Sequence, residues 1–136
     1  MSLVLDGSAA LAWCFEDEAT PTIDRLFEGI ALQGAVVPAL WRLDVANGLQ
    51  AGVRRRRLDA ARRDGLLAAL AKLDIRTDPD TDRFAWTATV NLADRFQLTL
   101  YDASYLELAR RHNLPLATLD QELRRAAGLA GVDLSF

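Results

Sequence analysis

Ser2-Leu3-Val4-Leu5-Asp6-Gly7-Ser8, followed at once by Ala9-Ala10-Leu11-Ala12-Trp13-Cys14-Phe15, sets the pattern of the whole chain. Leu3, Val4 and Leu5 form an unbroken apolar run, as in a strand buried on both faces. Asp6-Gly7-Ser8 stops it, and 9–15 reads as a helix. The order strand, stop, helix then returns. Ala35-Val36-Val37 ends at Pro38 ahead of a helix over about 39–52. Asp74–Thr77 is closed by Asp78-Pro79-Asp80 ahead of a helix over 82–95. Leu116-Ala117-Thr118-Leu119 leads to Asp120 and a last helix reaching about Ala127. Further helices are expected over 22–33, where Ile23, Leu26, Phe27 and Ile30 recur at helical spacing, and over 59–72 with Asp59 as N-cap. Another is expected over 102–112, and 132–134 is a candidate fifth strand. Strands alternating with helices predict an α/β fold, with a mainly parallel sheet of four to five strands and helices on both faces. In such sheets ligands bind beyond the carboxyl ends of the strands.

Size and composition agree with one domain over residues 1–136: 51% of the residues are apolar and 26% charged. The net charge of −3 excludes a chain that grips nucleic acid over its whole surface, though not a basic patch. One cysteine, Cys14, forms no intrachain disulfide. One cysteine and one histidine, His112, cannot supply the four N/S ligands of a structural zinc site. Cys14 reads as a small buried apolar residue and His112 as a surface residue at a helix end. The N-terminal apolar segment has no positive leading region and is interrupted by Asp6, unlike a signal peptide. No apolar stretch approaches the ~20 residues of a membrane span. A cytoplasmic location is expected.

Fourteen of the nineteen acids are Asp. A catalytic metal here would have mostly carboxylate ligands, which suit Mg²⁺ or Mn²⁺. Asp6 and Asp120 each follow an apolar strand and precede a helix, and Asp102 also opens a helix. Each can be read as an ordinary N-cap. Asp44 differs: it lies within a helix rich in Leu40, Trp41, Leu43, Val45 and Leu49, with Asn47 on the same face and no basic residue four positions on. It can be read as part of a solvated stripe. Taken together, four clustered carboxylates would raise one another's pKa unless a cation neutralises them. Such a cluster implies a divalent metal.

Other phosphate chemistries lack their signatures. Position 8 is Ser8, where a haloacid-dehalogenase phosphatase has its second Asp. The only lysine, Lys72, ends a middle helix, which argues against a receiver domain. No glycine-rich nucleotide loop is present. His112 has no nucleophile-elbow context.

Four segments, in order, resemble the PIN-domain ribonucleases, and closely the VapC-type toxins of toxin–antitoxin pairs. They are Val4–Trp13, Val37–Trp41 continuing through Asp44–Leu49, Leu98–Leu106, and Leu114–Asp120. The resemblance implies a PIN-like three-layer fold and Mg²⁺- or Mn²⁺-dependent hydrolysis of RNA phosphodiesters. It implies Asp6, Asp102 and Asp120 as metal ligands, with Ser8, Asn47 and Thr118 in support. Asp44 stands where that family usually has Glu. Its oxygens fall short by roughly 1.3–1.5 Å, about one C–C bond, so it would act through a water or leave the site weakened. A homodimer and a cognate antitoxin are the implied partners.

Arg54-Arg55-Arg56-Arg57 reads either as a solvated helix junction or as a contact for RNA phosphates or an acidic partner segment. Trp13, Trp41 and Trp86 read as core or interface anchors rather than base-stacking platforms. Glu16-Asp17-Glu18 reads as a solvated loop. The alternative functions are a catalytically weak or inactive PIN module acting in protein assembly or RNA binding, and a metal-dependent DNA nuclease. The absence of an appended helical arch or DNA-binding domain argues against the latter.

Overall fold

A computed structural model describes residues 2–136. Four short strands, β1 (Val4–Leu5), β2 (Ala35–Val37), β3 (Ile75–Thr77) and β4 (Leu116–Ala117), form one sheet in the order β3-β2-β1-β4. Every pairing is parallel: Val4 lies opposite both Val36 and Leu116, and Ala35 opposite Ile75. All four strands therefore point their carboxyl ends to one edge. The candidate fifth strand contributes a single bridge, Leu134 to Leu116.

Eight helices flank this sheet among the described residues. They are α1 (Gly7–Cys14), α2 (Pro21–Gln33), α3 (Trp41–Arg54), α4 (Ala60–Ala71), α5 (Thr81–Phe84), α6 (Ala88–Phe96), α7 (Leu100–His112) and α8 (Gln121–Ala130). One group has α1 against α2 and α3, with α4 on α3; the other has α7 against α6, α8, β1 and β4. Val4, Leu5, Ala9, Ile30, Leu49, Leu106 and Leu116 are fully buried between them. Trp13 stacks on Phe27 with ring centroids 4.8 Å apart, and Trp41 is buried. Trp86 is 91% exposed, so it is not a core anchor and only the interface half of that expectation applies to it. No helix among the described residues is long and apolar enough to cross a membrane.

Several helix boundaries depart from the sequence reading: α1 starts at Gly7 rather than at 9, α8 runs to Ala130 rather than to about 127, and three further departures each have a local reason. The helix expected over 82–95 is two helices, because Thr87 leaves helical geometry at φ −120°, ψ −94°. α7 starts at Leu100 rather than at 102, because Thr99 is its N-cap and accepts the Asp102 N–H at 3.1 Å. Asp102 is thus inside the first turn and is not a cap. The expected helix over 39–52 starts later, at Trp41, after a turn in which the Trp41 N–H donates to the Pro38 carbonyl.

Candidate active site

Asp6 follows β1 at the carboxyl edge of the sheet, and its N–H extends the ladder to the Ala117 carbonyl at 2.9 Å. It occupies the N-cap position of α1, yet its side chain makes no cap hydrogen bond. Instead Oδ2 accepts from the Ser8 hydroxyl at 2.6 Å and the Thr118 hydroxyl at 2.7 Å. Those hydroxyls in turn accept backbone N–H groups, Leu119 to Ser8 and Asp120 to Thr118, each at 3.0 Å. The end of β4 thus orients both hydroxyls, and both hydroxyls orient Asp6. Oδ1 has no hydrogen-bond partner among the described residues. Burial raises the Asp6 pKa against the two hydroxyls that lower it, and the charges of Asp44 and Asp120 raise it further.

Asp120 is the N-cap of α8, where Oδ1 accepts the N–H groups of Glu122 at 2.9 Å and Leu123 at 3.2 Å. Its other oxygen carries no such bond. Asp102, half-buried on α7, has its carboxyl pushed up to about 6. Burial is the largest cause, followed by the charges of Asp120 and Asp6, with Asp44 adding a smaller push against the Thr99 hydroxyl. Asp44 lies in the exposed first turn of α3 and its Oδ2 accepts from the Tyr105 hydroxyl at 3.1 Å. The fold therefore brings the four acids, spread over 6–120, within electrostatic reach of one another.

They remain open in geometry. Among the described residues no three carboxylates stand close enough to form a metal cage. Mg²⁺ does not require one: it keeps several waters and binds through one or two carboxylates. The uncommitted oxygens of Asp6 and Asp120, and the charge that lifts Asp102, fit such a hard cation. Asn47, three residues after Asp44, is exposed and makes no hydrogen bond among the described residues. Its helix is less buried than the sequence suggests, since Leu43 on the same turn is 79% exposed.

The arginine run divides. Arg57 bonds Asp17 at 2.9 Å and Glu18 at 2.8 Å and lies over the Phe15 ring, 3.9 Å from its centroid. The loop expected to be merely solvated is therefore its partner. Arg54, Arg55 and Arg56 are exposed at the end of α3, with Arg56 in the left-handed region at φ 59°. Trp86, Leu100 and Tyr101 line a cleft with Leu40, beside Asp102 in the chain. Cys14 is buried, and burial pushes its thiol up to about 11.

Sequence reasoning missed Tyr105, a member of the acid cluster that carries no charge. A tyrosine at apolar helical spacing looks like core, and only the contact with Asp44, 61 residues away, reveals it.

Residues 3–129 match the PIN domain family. The chain is 32% identical over 123 residues to VapC ribonuclease Mb0985 of Mycobacterium bovis and, equally, to Ribonuclease VapC9 of Mycobacterium tuberculosis. In each case the match covers 89% of this chain and 87% of the relative. The fold is similar to that of PAE2754 from Pyrobaculum aerophilum, with a TM-score of 0.69, 25% identity, and coverage of 93% of this chain and 79% of that one. It is also similar to FitAcB from Neisseria gonorrhoeae, with a TM-score of 0.61, 18% identity, and coverage of 98% and 96%. With an all-parallel sheet that gathers its acids at one edge and a family match over nearly its whole length, this chain belongs to the PIN-domain family and is of the VapC type.

Proposed function

We propose that this protein is a metal-dependent endoribonuclease, the toxin of a toxin–antitoxin pair. The observation that carries the metal reading is the acid cluster itself: burial raises the proton affinity of Asp6 and Asp102 at the sheet edge, and the charges of Asp44 and Asp120 raise it further at both. RNA as substrate is supported by the ribonuclease names of the VapC relatives. An antitoxin partner, a homodimer and a cytoplasmic setting are part of the proposal.

Asp6, Asp102 and Asp120 would hold Mg²⁺ or Mn²⁺, with Asp44 completing the negative surface. When bound, the cation supplies charge neutralisation toward a phosphodiester and activation of the attacking water. The chain's own residues do the rest. Ser8 and Thr118 hold Asp6 in one orientation through a single oxygen, leaving the other uncommitted. The cap bonds of Asp120 fix its carboxylate to the rigid start of α8. Thr99 fixes the turn that carries Asp102. Ligands held by packed elements and hydrogen-bonded neighbours lose little order on binding.

The test is cleavage of RNA by the purified chain with Mg²⁺, with excess chelator, and in Asp6→Asn and Asp102→Asn variants. Cleavage is expected only in the wild type with metal, with circular dichroism showing both variants folded. Full activity in a folded Asp6→Asn or Asp102→Asn variant would sink the reading.

One observation favours a second reading, a catalytically weak module. Asp44 is one methylene shorter than the Glu usual at its place. Growth arrest on expression, compared between wild type and Asp44→Glu, separates the two. Arrest by both supports the enzyme; arrest by the Glu variant alone supports the attenuated module.

A further inference from the structure

Tyr105 is the largest fully buried side chain among the described residues, yet its hydroxyl reaches the acid cluster. The hydroxyl donates to Asp44 Oδ2 at 3.1 Å, beside the Gly7 backbone at the start of α1. The hydroxyl's proton is thus committed to Asp44. The Asp44 carboxylate accepts no other hydrogen bond among the described residues and sits on an exposed turn. Nothing on α3 itself would restrain it.

Gly7 closes the other side. A Cβ at position 7 would lie 2.7 Å from Asp44 Oδ2 and 3.8 Å from the Tyr105 hydroxyl. The first distance is too short to hold; the second is ordinary contact. The carboxylate is therefore packed against bare glycine backbone, and any side chain there must displace it. The glycine is required for space, since its φ is not in the left-handed region.

We propose that Tyr105, with the space left by Gly7, is a positioning residue that holds Asp44 in one orientation toward Asp6 and so fits a short carboxylate into this site. This rests on the metal-site reading above. It assigns Tyr105 a task that its burial alone does not show. Removing a hydrogen-bonding neighbour of a metal-binding group typically weakens metal affinity about 10–100-fold.

The test is a double-mutant cycle read by calorimetric Mn²⁺ titration of the folded full chain. Tyr105→Phe and Gly7→Ala are each made with Asp44 and with Asp44→Ala. Both substitutions are expected to weaken Mn²⁺ binding about 10-fold when Asp44 is present, and to add nothing once position 44 is Ala. Gly7→Ala leaves the buried tyrosine intact, so it decides the matter if Tyr105→Phe fails to fold. Equal losses in both backgrounds, or no loss in either, overturn the positioning role and leave the metal reading standing. Failure of the wild-type chain to bind Mn²⁺ overturns both. Mn²⁺ binding without RNA cleavage overturns the nuclease reading alone and leaves the positioning role supported by the cycle.

Discussion

Asp102 is where the tension of the cluster shows most directly in solution. Its carboxyl is pushed from 3.8 to about 6 by burial and then by Asp120 and Asp6. A carboxyl that holds its proton more tightly when folded favours folding while protonated. That contribution is complete below about pH 4 and is lost as pH rises through about 6. Urea denaturation of the metal-free chain should therefore show the wild type losing stability relative to Asp102→Asn between about pH 4 and pH 6.5. A constant difference across that window contradicts the shift. The three strand-end or helix-start acids were legible in the sequence because an aspartate after an apolar run is a local pattern. Asp44 was legible because a polar residue broke a leucine-rich helix. Tyr105 was not, because its partner is remote in sequence and nothing nearby distinguishes it from a core aromatic.

At the scale of elements, the second half of the molecule is fastened by charge as well as by packing. Arg111, at the end of α7, bonds Asp78 beyond β3 and Glu107 one turn back, and lies 4.7 Å from the centroid of Phe84 on α5. Asp78 and Glu107 are almost wholly buried, with side chains 1% and 7% exposed. Burial alone would raise the Asp78 pKa, but Arg111, the Asp80 N–H and Thr81 hold it below the usual value. Arg111→Met leaves two buried carboxylates without their cation. It should cost about 3–5 kcal/mol, measured by denaturant unfolding with unchanged m-value. A loss below about 1 kcal/mol would place the bridge among weak surface pairs. Helix boundaries near 82–100 were hard to read because the backbone break at Thr87 and the early start of α7, capped by one threonine hydroxyl, do not alter hydrophobic periodicity.

For the whole molecule, the acidic site and the basic run at 54–57 lie on a chain of net charge −3. Arg57 is engaged by Asp17 and Glu18, so the exposed arginines available to a polyanion are Arg54, Arg55 and Arg56. If they meet RNA phosphates, replacing all three with Gln should reduce the slope of log affinity against log salt by up to about 2, at roughly 0.7 per phosphate contact on a single strand. An unchanged slope assigns them to the helix junction alone. The alternation of strands and helices was legible because β1, β2 and β4 are short apolar runs and β3 is marked by the hard stop Asp78-Pro79-Asp80 that follows it. Sheet order and the closeness of the acids were not, since they depend on crossovers that no local pattern encodes.

The Thr118 hydroxyl that seats Asp6 comes from a residue 112 positions later in the chain. β1, in the middle of the sheet, likewise waits for β4. During synthesis Asp6 and Ser8 emerge together, and the second hydroxyl that orients Asp6 emerges 112 residues later. Contacts of such long sequence separation are slow to form. A nascent chain therefore has no assembled site until Thr118 is made. If the protein cuts RNA, its own message and ribosome are out of its reach until β4 is made.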